Sequence, residues 1–129
     1  MGWYLTVIGK SLEFTGRASR AEYWNFWLVS SLIAFAFAGL RDGAAMLGHE
    51  TLHHFLQSMV GFYKWAVWLP GLSAGARRMH DTGRSGWWQF MPVVGQIMLF
   101  FDGEHHENAY GADPNEELIE SRPAIPKIR

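Results

Sequence analysis

The stretch YWNFWLVSSLIAFAFAGL, residues 23–40, decides the fold. Its eighteen positions hold no charged side chain. As a helix it rises about 27 Å, close to the roughly 30 Å hydrocarbon thickness of a bilayer. A helix of a soluble bundle shows a polar face, and this stretch has almost none. Ser30, Ser31, Ala34, Ala36 and Ala38 are spread along it and would let a second helix approach closely.

On the N-terminal side, FTGRASRAEYW (14–24) interrupts one helix at Gly16 and starts another. Ser19 and Glu22 have capping-box spacing, with the glutamate three residues after the serine N-cap. A helix is therefore expected over about 21–40. Before it, Trp3, Tyr4, Val7, Ile8 and Leu12 fall on one side of an amphipathic helix over about 2–13, suited to lie in the membrane interface.

On the other side, LRDGAAMLGHETLHH (40–54) is a polar connection. Residues 55–76 are apolar except at Lys64 and contain Pro70, predicting a second hydrophobic helix over about 52–78. Residues 86–101 form a third uncharged run with Pro92 and Gly95 inside it. Trp87 and Trp88 at one end and Phe100 and Phe101 at the other read as aromatic anchors for two interfaces. They predict a complete span over 86–101 with the tail on the far side. The alternative is a re-entrant turn at Pro92 and Gly95, which would return the tail to Arg17, Arg77 or Arg84. Residues 115–129 are polar and proline-containing, and are expected to be flexible.

The expected class is therefore all-α: a single membrane domain over residues 1–114, with an interfacial N-terminal helix, three hydrophobic helices and a polar tail. A formal net charge of -1 over 129 residues gives no field for nucleic acid. The absence of cysteine excludes disulfides, thiolate metal sites and thiol nucleophiles.

RRMHDTGRSGWW (77–88) sits between the second and third apolar runs. Arg77, Arg78 and Arg84 there, and Lys10, Arg17 and Arg20 before the first run, outweigh the single Arg41 of the other connection, which Asp42 and Glu50 oppose. The positive-inside rule places the N-terminus and this loop in the cytoplasm. Asp81, Thr82, Gly83, Ser85 and Gly86 supply turn chemistry, and Asp81 is close enough to pair with a neighbouring arginine. Arg17, Arg20, Arg77, Arg78 and Arg84 are expected to form one basic rim for anionic headgroups, beside His80, Asp81, Trp87 and Trp88.

Two other features carry chemistry. His49-Glu50-x-x-His53 has the spacing of a zinc-peptidase helix, but no third ligand stands at a telling distance. His49 and His53 are kept only as candidate metal ligands. Lys64 lies inside an apolar segment, where a lysine costs roughly 2.5–3.5 kcal/mol on insertion scales, so it is expected to be paired or water-exposed.

FTGRASRAEYW, LPGLSAGARRMHDTGRSGWW and DGEHHENAYGADP together resemble the family of small bacterial inner-membrane proteins known as domain of unknown function 805. The resemblance covers about residues 1–114. Its positions are Gly16, Arg17, Arg20, Glu22, Tyr23 and Trp24, then Arg77, Arg78, His80, Asp81, Gly83, Arg84, Ser85, Gly86, Trp87 and Trp88, and in the tail Gly103, Asn108, Tyr110, Gly111, Asp113 and Pro114. It implies a multi-pass fold in the bacterial inner membrane and no assigned activity. No cofactor is expected. The reading that follows is a non-enzymatic scaffold or accessory subunit, with anionic lipid, a membrane protein or a second copy as partner. A transport element using Lys64 and a zinc peptidase stand as alternatives.

Overall fold

The computed structural model describes residues 2–116, which are helical with turns. In chain order they form α1 (Gly2–Gly9), α2 (Arg20–Met46), α3 (Glu50–Asp81), a short 3₁₀ helix (Gly86–Phe90) and α4 (Val94–Met98). Residues 117–129, most of the tail expected to be flexible, lie outside the described part. The chain divides into two compact units. One joins the residues up to Glu13 with Ala21–Ala74, and the other joins Phe14–Arg20 with the chain from Gly75 onward.

In the first unit α2 and α3 pair antiparallel. The Tyr63 hydroxyl donates to the Ser30 carbonyl at 3.3 Å, and Arg41 donates to the Gln57 side chain at 2.9 Å. The two helices are in close contact at Gly71, where an added Cβ would meet the Trp27 ring at 2.7 Å. α1 docks on this pair through Tyr4, stacked on Phe26 with ring centroids 5.4 Å apart and bonded to the Tyr63 hydroxyl at 3.3 Å. Val7 and Phe26 are fully buried. Ser73 fixes the chain after α1 by donating to the Glu13 carbonyl at 2.6 Å. Outward, Leu28, Leu32, Phe35, Phe62 and Trp65 are exposed, a surface that suits lipid better than water.

α2 begins at Arg20, with Ser19 immediately before it and Glu22 in its first turn. Its end is not at Leu40, and α3 runs beyond 52–78 at both ends. Arg41 to Met46 is compatible with helix, and the stop comes only at Gly48. That glycine has φ +70°, its N–H bonds to the Ala45 carbonyl, and the next N–H, of His49, bonds to Ala44. This is the Schellman pattern, which needs a residue in the left-handed region. Gly83 repeats it at the end of α3, with φ +70° and bonds from Gly83 to His80 and from Arg84 to Met79. Residues 77–81 are thus the last turn of α3, where a loop was expected, and the helix ends at the left-handed Gly83.

The third hydrophobic helix is corrected. Residues 86–101 are not one helix but a 3₁₀ turn and the five-residue α4. Between them Val93 has φ 65° and ψ -60°, and the Val94 N–H bonds to the Pro92 carbonyl at 2.8 Å. That is a γ-turn of the rarer, strained hand, which no continuous helix accommodates. Among the described residues only α2 is both long and apolar enough by itself to cross a membrane. α3 is longer, but Lys64 and Pro70 interrupt it.

Candidate functional site: an arginine–aspartate cluster

The polar residues of the three family-like blocks converge in the second unit. Phe14–Arg20 turns at Gly16, whose φ of +82° favours a residue without Cβ, and runs past the last turn of α3. There the Ala18 N–H bonds to the Arg77 carbonyl at 3.1 Å. This places Arg17 against Asp81. Its Nε donates to Oδ1 at 3.0 Å, and a terminal nitrogen lies 2.9 Å from the same oxygen. The rest of the guanidinium reaches carbonyls of the tail: His106 at 2.6 Å, Gly111 at 3.3 Å, and Glu104. Arg17 thus ties the N-terminal block, the end of α3 and residues 104–111 through one planar fork.

The other Asp81 oxygen pairs with Arg78, one turn earlier on α3. Arg78 also donates to the Leu99 carbonyl at 3.4 Å and to the Phe101 carbonyl. Both arginines and the aspartate are buried, at 1, 0 and 2% side-chain exposure, so the charges are balanced by one another and by backbone dipoles in place of water. The tail closes over the carboxylate: the Glu104 N–H bonds to the Asp81 carbonyl at 2.8 Å, and a Cβ at Gly103 would collide with the Asp81 carboxylate.

His80 points elsewhere. Its ring lies flat on Tyr110, with centroids 4.0 Å apart and planes 2° apart, and Nδ1 faces the Gly16 carbonyl at 3.1 Å. Nδ1 therefore carries the proton. Gly86 passes beside it, where a Cβ would meet Ala76 at 2.8 Å. Asn108 donates to the His80 carbonyl at 3.0 Å and to Glu104 at 2.8 Å, and exchanges two backbone bonds with Gly111. Asp113 is buried and accepts from the Asn115 N–H at 2.8 Å, with Pro114 between them.

Burial pushes the His80 ring below the ordinary histidine range, against the opposing pull of the Gly16 carbonyl. A depressed folded-state pKa means that the unfolded chain takes up a proton before the folded one does. Stability should therefore be complete above the unfolded pKa of about 6.5 and fall as pH drops below it. In detergent, the unfolding midpoint of the protein should decline from pH 7 to pH 5 more steeply than that of His80→Gln.

The expected rim divides in two. Arg17, Arg77 and Arg78 are buried, so an exposed rim of all five arginines is corrected: three guanidiniums belong to the interior of the unit. Arg20 and Arg84 are exposed. Arg20 pairs with Asp102, whose carboxylate it holds below the usual range, and Arg84 lies over the Trp88 ring at 5.4 Å. Trp87 is 79% exposed. Ser85 precedes the 3₁₀ helix without a capping bond. Glu22, Tyr23 and Trp24 fall in the other unit, where Tyr23 is buried edge-on against Trp24.

The complete span with the tail on the far side is also corrected, because residues 101–111 are held by Arg17 and Arg78. The contacts are mostly to backbone carbonyls, which no sequence pattern advertises. His49 precedes α3, and His53 Nδ1 sits 3.3 Å from the Arg41 carbonyl. Among the described residues no three metal-ligating side chains are grouped. Lys64 is exposed and makes no ion pair or hydrogen bond among them, so an intrachain partner is not found.

The chain's relatives include the inner membrane protein YhaI of Escherichia coli K12, 37% identical over 121 residues, or 88% of this chain and 96% of that protein. The inner membrane protein YhaH of the same strain is 38% identical over 126 residues, 91% of this chain and 99% of that protein. No solved structure matches. The family model described as protein of unknown function (DUF805) matches residues 11–112, which contain every residue of the arginine–aspartate cluster, and the chain belongs to that family.

Proposed function

We propose that the chain is a non-enzymatic inner-membrane scaffold or accessory subunit. In this reading α2 and α3 cross the bilayer as an antiparallel pair, and the second unit forms a cytoplasmic surface that binds anionic lipid. The observation that carries the non-catalytic part is the use of the polar atoms: both Asp81 oxygens are taken by arginines and His80 Nδ1 by a carbonyl. Such a cluster sets the path of the chain and leaves neither Asp81 oxygen free to act as a base. α2 supports the membrane part, because Arg20 and Arg41 are separated by about 31 Å of helix rise, one hydrocarbon thickness. α3 packs beside it and must return across the same distance. The names of the two inner-membrane relatives support an inner-membrane location, and the basic flanks support a cytoplasmic N-terminus.

The lipid surface in this reading is narrower than the sequence suggests. Exposed Arg20 and Arg84 accompany exposed Trp87, Phe90, Phe100 and Phe101, an arrangement suited to a segment lying at headgroup depth. A basic residue near an anionic surface is worth about 1 kcal/mol, or roughly fivefold in binding. The double variant Arg20→Gln/Arg84→Gln should therefore retain at least tenfold less phosphatidylglycerol or cardiolipin through purification. Undiminished lipid in a folded double variant would refute the lipid surface.

A further inference from the structure

Lys64 sits halfway along α3, thirteen residues before Arg77 and fourteen after Glu50, so each polar end is about 20 Å of helix away. It is exposed and unpartnered among the described residues. Beside it, between α2 and α3, runs a groove of about 260 Å³ lined by Trp27, Ser30, Ser31, Ala34 and Trp68 among others. An exposed cation on a wall of apolar and small residues, at this depth, asks for an acceptor of negative charge.

Three sources of that charge can be compared. A second copy of this chain has no acidic residue at this depth, because none occurs between Tyr23 and Leu40 or between Thr51 and Ala76. A phospholipid or fatty acid carries its anionic group at the interface, well beyond the few ångströms a lysine stem can extend. A membrane-spanning helix with one carboxylate near its midpoint brings the charge to the required depth, and Ser30, Ser31 and Ala34 let its backbone come close. We infer that the α2–α3 groove is the docking site for a partner transmembrane helix bearing an intramembrane aspartate or glutamate, which pairs with Lys64. The inference rests on the reading of α2 and α3 as a membrane-crossing pair, and it gives the accessory-subunit role a partner chemistry.

The probe is a synthetic leucine-rich transmembrane peptide with one central glutamate, compared with its all-leucine counterpart. The protein contains no cysteine, so Leu47→Cys accepts a single donor dye, and the peptide carries the acceptor. In carbonate-washed phosphatidylcholine vesicles, energy transfer to the glutamate peptide should saturate at a peptide density at least tenfold lower than for the leucine peptide. Lys64→Met should abolish that difference. Lys64→Glu with a central-lysine peptide should restore it, which a merely structural role of Lys64 would not do. Equal transfer to both peptides overturns the site and leaves the membrane pair standing. Displacement of the glutamate peptide by equimolar oleate assigns the groove to lipid and overturns the helix partner. Release of the protein by carbonate overturns the membrane pair and this site with it.

Discussion

Replacing Asp81 by asparagine should destabilise the protein by about 3–5 kcal/mol, the usual result of stranding a buried charge. Among the described residues Asp81 is the only carboxylate that pairs with both Arg17 and Arg78, and both guanidiniums are at most 1% exposed. Asparagine keeps the shape and loses the charge, leaving two cations in a volume that water does not reach. The rank order of variants separates this account from simple loss of packing. Arg78→Gln should be milder than Asp81→Asn, because Asp81 then keeps Arg17 and no unbalanced cation remains at Arg78. Denaturant unfolding in mild detergent reads both variants, and equal stability of Asp81→Asn and wild type would remove the cluster from the account of the fold.

The second large effect is expected at Arg17. Arg17→Lys preserves the charge, but one ammonium cannot reach Asp81 and the carbonyls of Glu104, His106 and Gly111 together. Buried carbonyls left without donors cost about 1–3 kcal/mol each. The loss should be local before it is global: residues 102–113 should exchange amide hydrogens faster and become open to proteolysis, while α2 and α3 remain protected. A lysine variant with unchanged protection of 102–113 would show that the tail is held by other contacts.

Features of this fold differ in how far they can be read from residue types. The uncharged run 23–40 and the Ser19–Glu22 start are legible because hydropathy and capping act locally. The ends of α2 and α3 are legible only through Gly48 and Gly83: polar residues such as Arg41 or Arg77 do not stop a helix, whereas a left-handed glycine does. Arg77–Asp81 looks like a loop because its charges suggest exposure, yet Asp81 pairs with both Arg17 and Arg78 inside the unit. Residues 86–101 have the hydropathy of a span, but the break at Pro92–Val93 is a backbone property that a count of apolar residues misses. The joining of the tail to Arg17 is least legible, since its acceptors are main-chain carbonyls common to every residue. The pairing of Asp81 with an arginine could be expected; its sharing between Arg17 and Arg78 could not.

The proposal at the centre of this account puts the N-terminal block and the tail block on one side of the membrane and the α2–α3 connection on the other. With no native cysteine, the single variants Thr15→Cys, Leu47→Cys and Ala109→Cys report on these three places without background. All three positions are exposed. In sealed right-side-out vesicles, an impermeant maleimide should label Leu47→Cys directly and reach Thr15→Cys and Ala109→Cys only after permeabilisation. Labelling of Thr15→Cys and Ala109→Cys from opposite sides would contradict the account.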